Sequence, residues 1–334
     1  DTDNSKACNT AAHCTLRRAI LQANKLGAGG RPVTIKFDIP DDEAEGYDDE
    51  IEAWRIELKD GGGTVVLPTL VGGGISIDGT TQPGEREFGP QIILVGPGDG
   101  SQAGMVLGNE NSGDDDGNRI VGLAFQNFST HVTLLSNDNQ IFENWFGLED
   151  DGLGPFLRGG ALAMGSGEIG LLVSPGTSGN SVEGNVFLGF NEAAIALHGD
   201  ESTAVENLIG TDAEGEVPLV ELNGRNTCAK GDWLGGSGIS VEGSENEVSD
   251  NTIAGLRQEK VIGVEPDALR VSGELHTISD NFIGLDFNGE AVGVCGRGIM
   301  LADGPQEVWV ADNYIANTVL SAISLNGQSY NRNS

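Results

Sequence analysis

One short phrase is written at six places along the chain and constrains the fold more than any other feature. It reads ENWF from Glu143, GNVF from Gly184, ENLI from Glu206, DNTI from Asp250, DNFI from Asp280 and DNYI from Asp312. Each copy centres on an asparagine: Asn144, Asn185, Asn207, Asn251, Asn281 and Asn313, with QNF at Asn127 reading as an earlier member. Three residues upstream sits a small apolar hook: Ile141, Val182, Ala204, Val248, Ile278 and Val310. After most copies comes an alternating stretch: GLLVS at Gly170, AIALHG at Ala194, GISVEG at Gly238, ALRVSG at Ala268, GIMLAD at Gly298 and AISLNG at Ala322. Period-two alternation buries one face of a strand and exposes the other. Short strands, a fixed asparagine corner and a repeat of roughly 20 to 30 residues describe a solenoid. No coil can bury its apolar face alone, so neighbours must stack. A leucine-rich horseshoe would need a recurrent leucine pattern and a helical return, which are missing. A parallel β-helix with three strands per coil fits. Stacked asparagines can then hydrogen-bond along the axis, and asparagine tolerates the left-handed corner.

A second regularity overlies the first. IG or FG followed by an acid occurs after Asn144, Asn207 and Asn281 and is missing after Asn185, Asn251 and Asn313. The unit is therefore a pair of coils, one with an excursion following Asp150, Asp212 or Asp286 and one without. The 52 glycines suit a chain that turns so often. Acidic residues outnumber basic ones by 51 to 18, for a net charge of −33, which disfavours nucleic acid and anionic membranes as partners. Solubility, salt adaptation and cation binding would all use such a surface. No apolar run is long enough to span a bilayer. The first residue is Asp1 and not Met, as in a processed mature protein, which gives the expectation of a secreted, extracellular or cell-surface location. Cys8 and Cys14 lie close together and suit a small disulfide loop; Cys228 and Cys295 fall in successive excursions and would form a loop-to-loop bridge or stay as separate thiols.

The stretch CTLRRAILQAN at Cys14 to Asn24 places Leu16, Ala19, Ile20 and Ala23 at helical spacing, with Thr15 as N-cap. It reads as an amphipathic cap over the first coil. With the preceding Cys8 and the following VTIKFDIP, it resembles the N-terminal CSLREA-type domain of secreted bacterial β-helix proteins. IDGTTQPG at Ile77 and IGTDAEG at Ile209 resemble phrases of the same family. Arg18 stands where the family pattern has Glu, so the reciprocal capping contact is lost. The resemblance implies an exported, all-β, right-handed parallel β-helix, with no single activity attached. The expected organisation is a capping region over 1–60 and a β-helix of about nine coils over 61–334.

Two surface constellations carry chemistry. On the alternating strands, Leu172 and Ser174, Ala196 and His198, Ser240 and Glu242, Arg270 and Ser272, Met300 and Ala302, and Ser324 and Asn326 are expected to point outward. That stacks His198, Glu242 and Ser272 in one column and sets Ser240 beside Arg270. A base, an acid and a cation on adjacent coils could cleave a polysaccharide by proton abstraction α to a uronate carboxyl, with His198 or Arg270 as base. The plainer reading is a surface ion pair of Glu242 and Arg270 with a bystander histidine.

The second constellation is the column Glu143, Glu206, Asp250, Asp280 and Asp312, interrupted by Gly184. Turn chemistry alone selects acids there. Calcium is the candidate cation if they bind one, with Asp212, Asp250, Asp280 and Asp286 as ligands. A pair of these carboxylates also meets the spacing of a glycosidase. DDDG at Asp114 and NDN at Asn137 read as loop tips without the ligand spacing of an EF-hand. The leading functional expectation is a structural or adhesive surface protein that self-assembles end to end. The alternative is a polysaccharide-active enzyme, lyase before hydrolase, or a glycan-binding module working on the exposed strand face.

Overall fold

The computed structural model describes residues 14–26, 28–40, 46–58, 67–84, 86–97, 101–110, 113–156, 168–218, 236–256 and 266–326. It is a parallel β-helix. Three sheets of nine, ten and eight strands run its length, and each takes one strand from successive coils. One coil runs Thr203–Val205 in the first sheet, Leu208–Ile209 in the second and Ser237–Val241 in the third. Among the described residues, all strand pairs are parallel except Tyr47–Asp48 against Ala53–Glu57. The first strand, Val33–Lys36, already pairs with Ile75–Asp78, so the solenoid's pairing begins inside the segment read as a capping region. Among the described residues, no helix is long and apolar enough to cross a membrane.

The apolar hooks explain why the coils stack. Ile141, Val182, Ala204, Val248 and Ile278 are fully buried and lie in register, one per coil. In the second sheet the inward column is Phe125, Phe146, Phe187, Ile209, Ile253 and Ile283. The three phenylalanine rings lie face to face, with centroids 5.1 and 4.6 Å apart and planes within 9° and 7° of parallel. Coil spacing of about 4.8 Å dictates that geometry, because identical in-register side chains must stack at the strand repeat. Burying each such ring stabilises the fold by about 2 to 3 kcal/mol.

Helix α1 (Leu16–Ala23) begins where the sequence places it, with the Thr15 hydroxyl accepting the Arg18 N–H at 3.2 Å. Leu16, Ile20 and Ala23 are buried in the same core as Ile35, Phe37 and Leu70. Its far end is held by side chains. The Arg31 guanidinium donates to the Ala23 carbonyl at 3.1 Å and the Val71 carbonyl at 3.0 Å. The Asn24 amide donates to Thr69 O at 2.7 Å and accepts from Val71 N at 3.0 Å. These contacts satisfy the helix-end carbonyl of Ala23 and tie the end of α1 to the segment at Thr69 and Val71.

Candidate functional site

The asparagine corner is a continuous ladder. Asn144 donates its backbone N–H (3.0 Å) and its side-chain amide (3.1 Å) to Asn185 Oδ1. Asn185 does the same to Asn207, Asn207 to Asn251, Asn251 to Asn281 and Asn281 to Asn313. Each amide also donates to carbonyls of its own and the preceding coil, as Asn207 Nδ2 does to Val205 O and Val182 O. Asn127 is not a rung, contrary to expectation. It follows the second-sheet strand Leu123–Gln126 at the next corner, with φ of 62°, and donates to Gly96 O. The rung position in its coil is held by Leu123, whose N–H donates to Asn144 Oδ1.

The acids preceding the ladder share one conformation. Glu143, Glu206, Asp250, Asp280 and Asp312 have φ between 54° and 58°, and Gly184 occupies the same place at 63°. They form the left-handed corner, and all five acidic residues are exposed. Asp250 and Asp280 therefore point into water on separate coils. Among the described residues, no group of three or more His, Cys, Asp or Glu converges as a cation-ligand set.

Asp212 and Asp286 do something else. Both are buried, at 6% and 7% exposure. Asp212 Oδ1 accepts the N–H groups of Glu214 (3.0 Å) and Glu216 (2.9 Å), and Asp286 Oδ1 accepts that of Glu290 (2.8 Å). Each carboxylate staples its own excursion into a narrow hairpin, closed by Asp212 N to Glu216 O and by Asp286 N to Glu290 O. Burial pushes the Asp212 carboxyl above its ordinary range, while the Glu216 and Glu214 N–H groups pull it back.

The hairpins fold over the outer face of the second sheet. There Leu148, Val217 and Ala254 join Ile93, Ala124, Trp145 and Val186 in a second apolar cluster outside the main core. Successive hairpins also bond to each other, Ala213 N to Gly152 O and Phe287 N to Gly215 O, each at 3.0 Å. The first is further docked by Gln126, whose amide donates to Asp150 Oδ1 at 2.7 Å, and by an Arg55–Asp150 ion pair. Arg86 lies over the Trp145 ring at 5.5 Å and donates to the Asp150 carbonyl. Burial lowers the Arg86 pKa, and the carboxylates of Asp150, Asp151 and Asp48 oppose the shift. Glu50, Ile51, Glu52, Arg86, Glu87, Phe88 and Asp151 line an open cleft of about 460 Å³ beside this junction.

On the third sheet the structure brings part of the expected cluster together. His198 Nε2 lies 3.2 Å from Ser240 Oγ and 3.9 Å from Glu242 Oε1. Ser240 pairs in register with Arg270. The Arg270 guanidinium, however, meets Asp303 at 3.8 Å, and no ion pair joins it to Glu242 among the described residues. The His198–Ser240–Glu242 group sets an imidazole, a hydroxyl and a carboxylate on neighbouring coils, where they can hydrogen-bond a polyol. Ala196 and Met300 share the register column of Ser240 and Arg270 but are only 2% and 4% exposed, and Ala302 and Ser174 are likewise covered, at 0% and 8%. Alternation assigns the side a residue faces; it does not say that the side is open to water.

Two features escaped sequence reasoning. A second ladder runs five residues ahead of the first. Asn118 N donates to Asn139 Oδ1 (3.0 Å), Asn139 N to Asn180 Oδ1 (3.0 Å) and Asn180 N to Ser202 Oγ (3.2 Å). It continues from Ser202 N to Asn246 Oδ1 (2.8 Å) and ends with Asn246 N on His276 Nδ1 (3.2 Å). Asn139 is thus a buried rung, and Asp115 of DDDG is buried as well, accepting the N–H groups of Gly72 and Asn109; neither is a loop tip. The signal was available, since Asn139, Asn180, Ser202, Asn246 and His276 each precede a rung of the first ladder by the same offset.

The other feature is His131. It stands in a third-sheet column otherwise occupied by Gly170, Ala194, Gly238, Ala268 and Gly298. Its fully buried ring meets Phe128, Phe190 and Phe146 edge-on at 5.4, 5.1 and 6.2 Å. Cys14 and Cys295 are not free thiols, and Cys8 and Cys228 lie outside the described residues.

The class defined by this geometry is the all-β parallel β-helix, with two internal polar ladders and hairpins on alternate coils. No known family profile and no curated protein matches the chain. Among solved structures it is similar to a mannuronan C-5 epimerase A-module from Azotobacter vinelandii, at 10% identity and a TM-score of 0.31, over 94% of this chain and 95% of that one. A likeness of that degree bears on neither activity nor substrate.

Proposed function

We propose that the chain is a structural, adhesive β-helix of an extracellular or cell-surface assembly, joining a second copy of itself edge-on through the coil at residues 309–326. The observation that carries this reading is the state of that coil. Among the described residues, nothing pairs with the outer edges of Trp309–Ala311, Tyr314–Ile315 and Ile323–Asn326, one strand in each sheet. Trp309, Tyr314, Ile323 and Leu325 are 68%, 61%, 49% and 78% exposed, although Ile323 and Leu325 continue the inward columns of the third sheet. The Tyr314 ring also caps a parallel stack with Phe282 at 5.2 Å. In a chain of net charge −33, residues 309–326 carry a single charged side chain, Asp312. Two strongly acidic bodies can approach most closely where charge is lowest, and unpaired strand edges recruit further strands. An identical three-sided edge would meet all three sheets at once.

The test is light scattering across a concentration series, on the wild type and on Leu325→Lys. The expected result is association that the substitution abolishes. A wild type that stays monomeric throughout sinks the reading.

The His198–Ser240–Glu242 group supports a second reading, that of a polysaccharide-active or glycan-binding face. Incubation with acidic and neutral polysaccharides, with and without chelator, separates the two. New reducing ends or unsaturated products, lost in His198→Ala, would favour the enzyme; retention of intact glycan, lost in the same variant, would favour a binding module.

A further inference from the structure

The second ladder contains one rung that can titrate. Its other acceptors are the amides of Asn118, Asn139, Asn180 and Asn246 and the hydroxyl of Ser202, none of which changes charge in ordinary solution. At the end stands His276, with a fully buried side chain. Its two neighbours dictate its tautomer. Nε2 lies 2.8 Å from the Ser272 carbonyl, which can only accept, so Nε2 carries the hydrogen. Nδ1 must then be bare, and it accepts the Asn246 N–H at 3.2 Å.

We propose that His276 is an acid-released latch: protonation at Nδ1 turns the acceptor of the Asn246 N–H into a donor and loosens the corner around His276 from the corner around Asn246. The proton comes from solvent, and no bond other than this hydrogen bond is broken. The second ladder then ends at Asn246, and the coils beginning at Glu247–Ser249 and Thr277–Ser279 lose this one tie, while Glu245 N to Glu274 O and Glu274 N to Gly243 O, both at 3.1 Å, remain. The first ladder, through Asn251, Asn281 and Asn313, still holds them, so the outcome is local opening and not global unfolding.

The charged groups around the latch come from four corners. Asp200 and Glu274 act on the ring directly and favour the imidazolium. Glu245 lies beside Asn246, while Asp303 and Glu307 lie on the following corner, where Gln306 bonds to Gly273 and Leu275. Burial is the larger influence and holds His276 below the ordinary histidine range. The neutral, latched form is therefore kept at neutral pH, and its contribution to stability declines as pH falls below the unfolded value of about 6.5.

Hydrogen exchange at neutral and mildly acid pH, corrected for intrinsic rates, tests the latch on the wild type and on His276→Asn, which keeps an amide acceptor that does not titrate. Protection at Asn246 and over Thr277–Ser279 is expected to fall about tenfold or more in acid in the wild type and to hold in the variant. Equal acid sensitivity in both, or none in either, overturns the proposal. Nitrogen NMR of the wild-type imidazole gives a second readout that needs no variant. A hydrogen on Nδ1 at neutral pH would be equally fatal.

Discussion

Asn185 Oδ1 accepts two hydrogen bonds from Asn144, one from its backbone and one from its amide, at 3.0 and 3.1 Å. One oxygen thus ties two coils together at a corner where water is excluded, and the contact repeats through five successive pairs of residues.

Removing one rung should be costly. Asn207→Leu leaves the buried backbone N–H of Asn185 without its acceptor and takes one donor from the carbonyls of Val182 and Val205. At about 1 to 3 kcal/mol for a buried orphan, the expected loss is about 1 to 3 kcal/mol in denaturant unfolding. A loss below about 1 kcal/mol would mean that the corner relaxes and the ladder adds little.

The acids beside the ladder should behave in the opposite way. Glu206 holds a left-handed φ of 56° that glycine adopts without penalty, as Gly184 does on the neighbouring coil. Glu206→Gly is expected to stabilise the fold by up to about 1 kcal/mol in the same unfolding assay. Destabilisation would reveal work done by the Glu206 carboxylate that the corner geometry does not explain.

Asp286 should matter as a staple and not as a cation ligand. Asp286→Ala removes the acceptor of the Glu290 N–H and is expected to cost about 1 to 2 kcal/mol. Added calcium or chelator should leave the melting temperature of the wild type unchanged. A drop of several degrees with chelator would restore the calcium reading of Asp212, Asp250, Asp280 and Asp286.

His131 sets an acid limit. Burial pushes its pKa down to about 3, opposed only by the backbone of Ile169. Its folded value lies below the unfolded one, so the neutral ring's contribution is complete above about 6.5 and is lost progressively as pH falls toward about 3. His131→Leu should show a flatter loss of stability over that window than the wild type. Identical slopes would place the acid sensitivity elsewhere.

How far the sequence reaches follows from what each position demands. The first ladder was legible because only an amide can accept from one coil while donating to two others, so the same residue recurs at Asn144 through Asn313. The second needs only an acceptor, which Asn180, Ser202 and His276 all supply, so the letters vary and the pattern dissolves. The core hooks from Ile141 to Ile278 were equally plain, since a narrow solenoid admits little else there. The third-sheet face was read only in part. Register brought Ser240 to Arg270 as alternation requires, but the choice of Asp303 over Glu242 as partner depends on side-chain reach. Asp212 and Asp286 recur in the sequence, but the bonds of their carboxylates to the N–H groups of their own loops depend on a hairpin geometry that the letters do not spell.

The hairpin contacts also fix how such a molecule can change length. A hairpin is two strands wide, roughly 10 Å, which is the height of two coils. Gly152 meets Ala213, and Gly215 meets Phe287, across coils that have no hairpin of their own. Insertion or deletion of a single coil would either leave a bare greasy strip on the second sheet or force two hairpins into one space. Growth and shrinkage of this architecture are therefore quantised, and the coil pair is the smallest heritable increment.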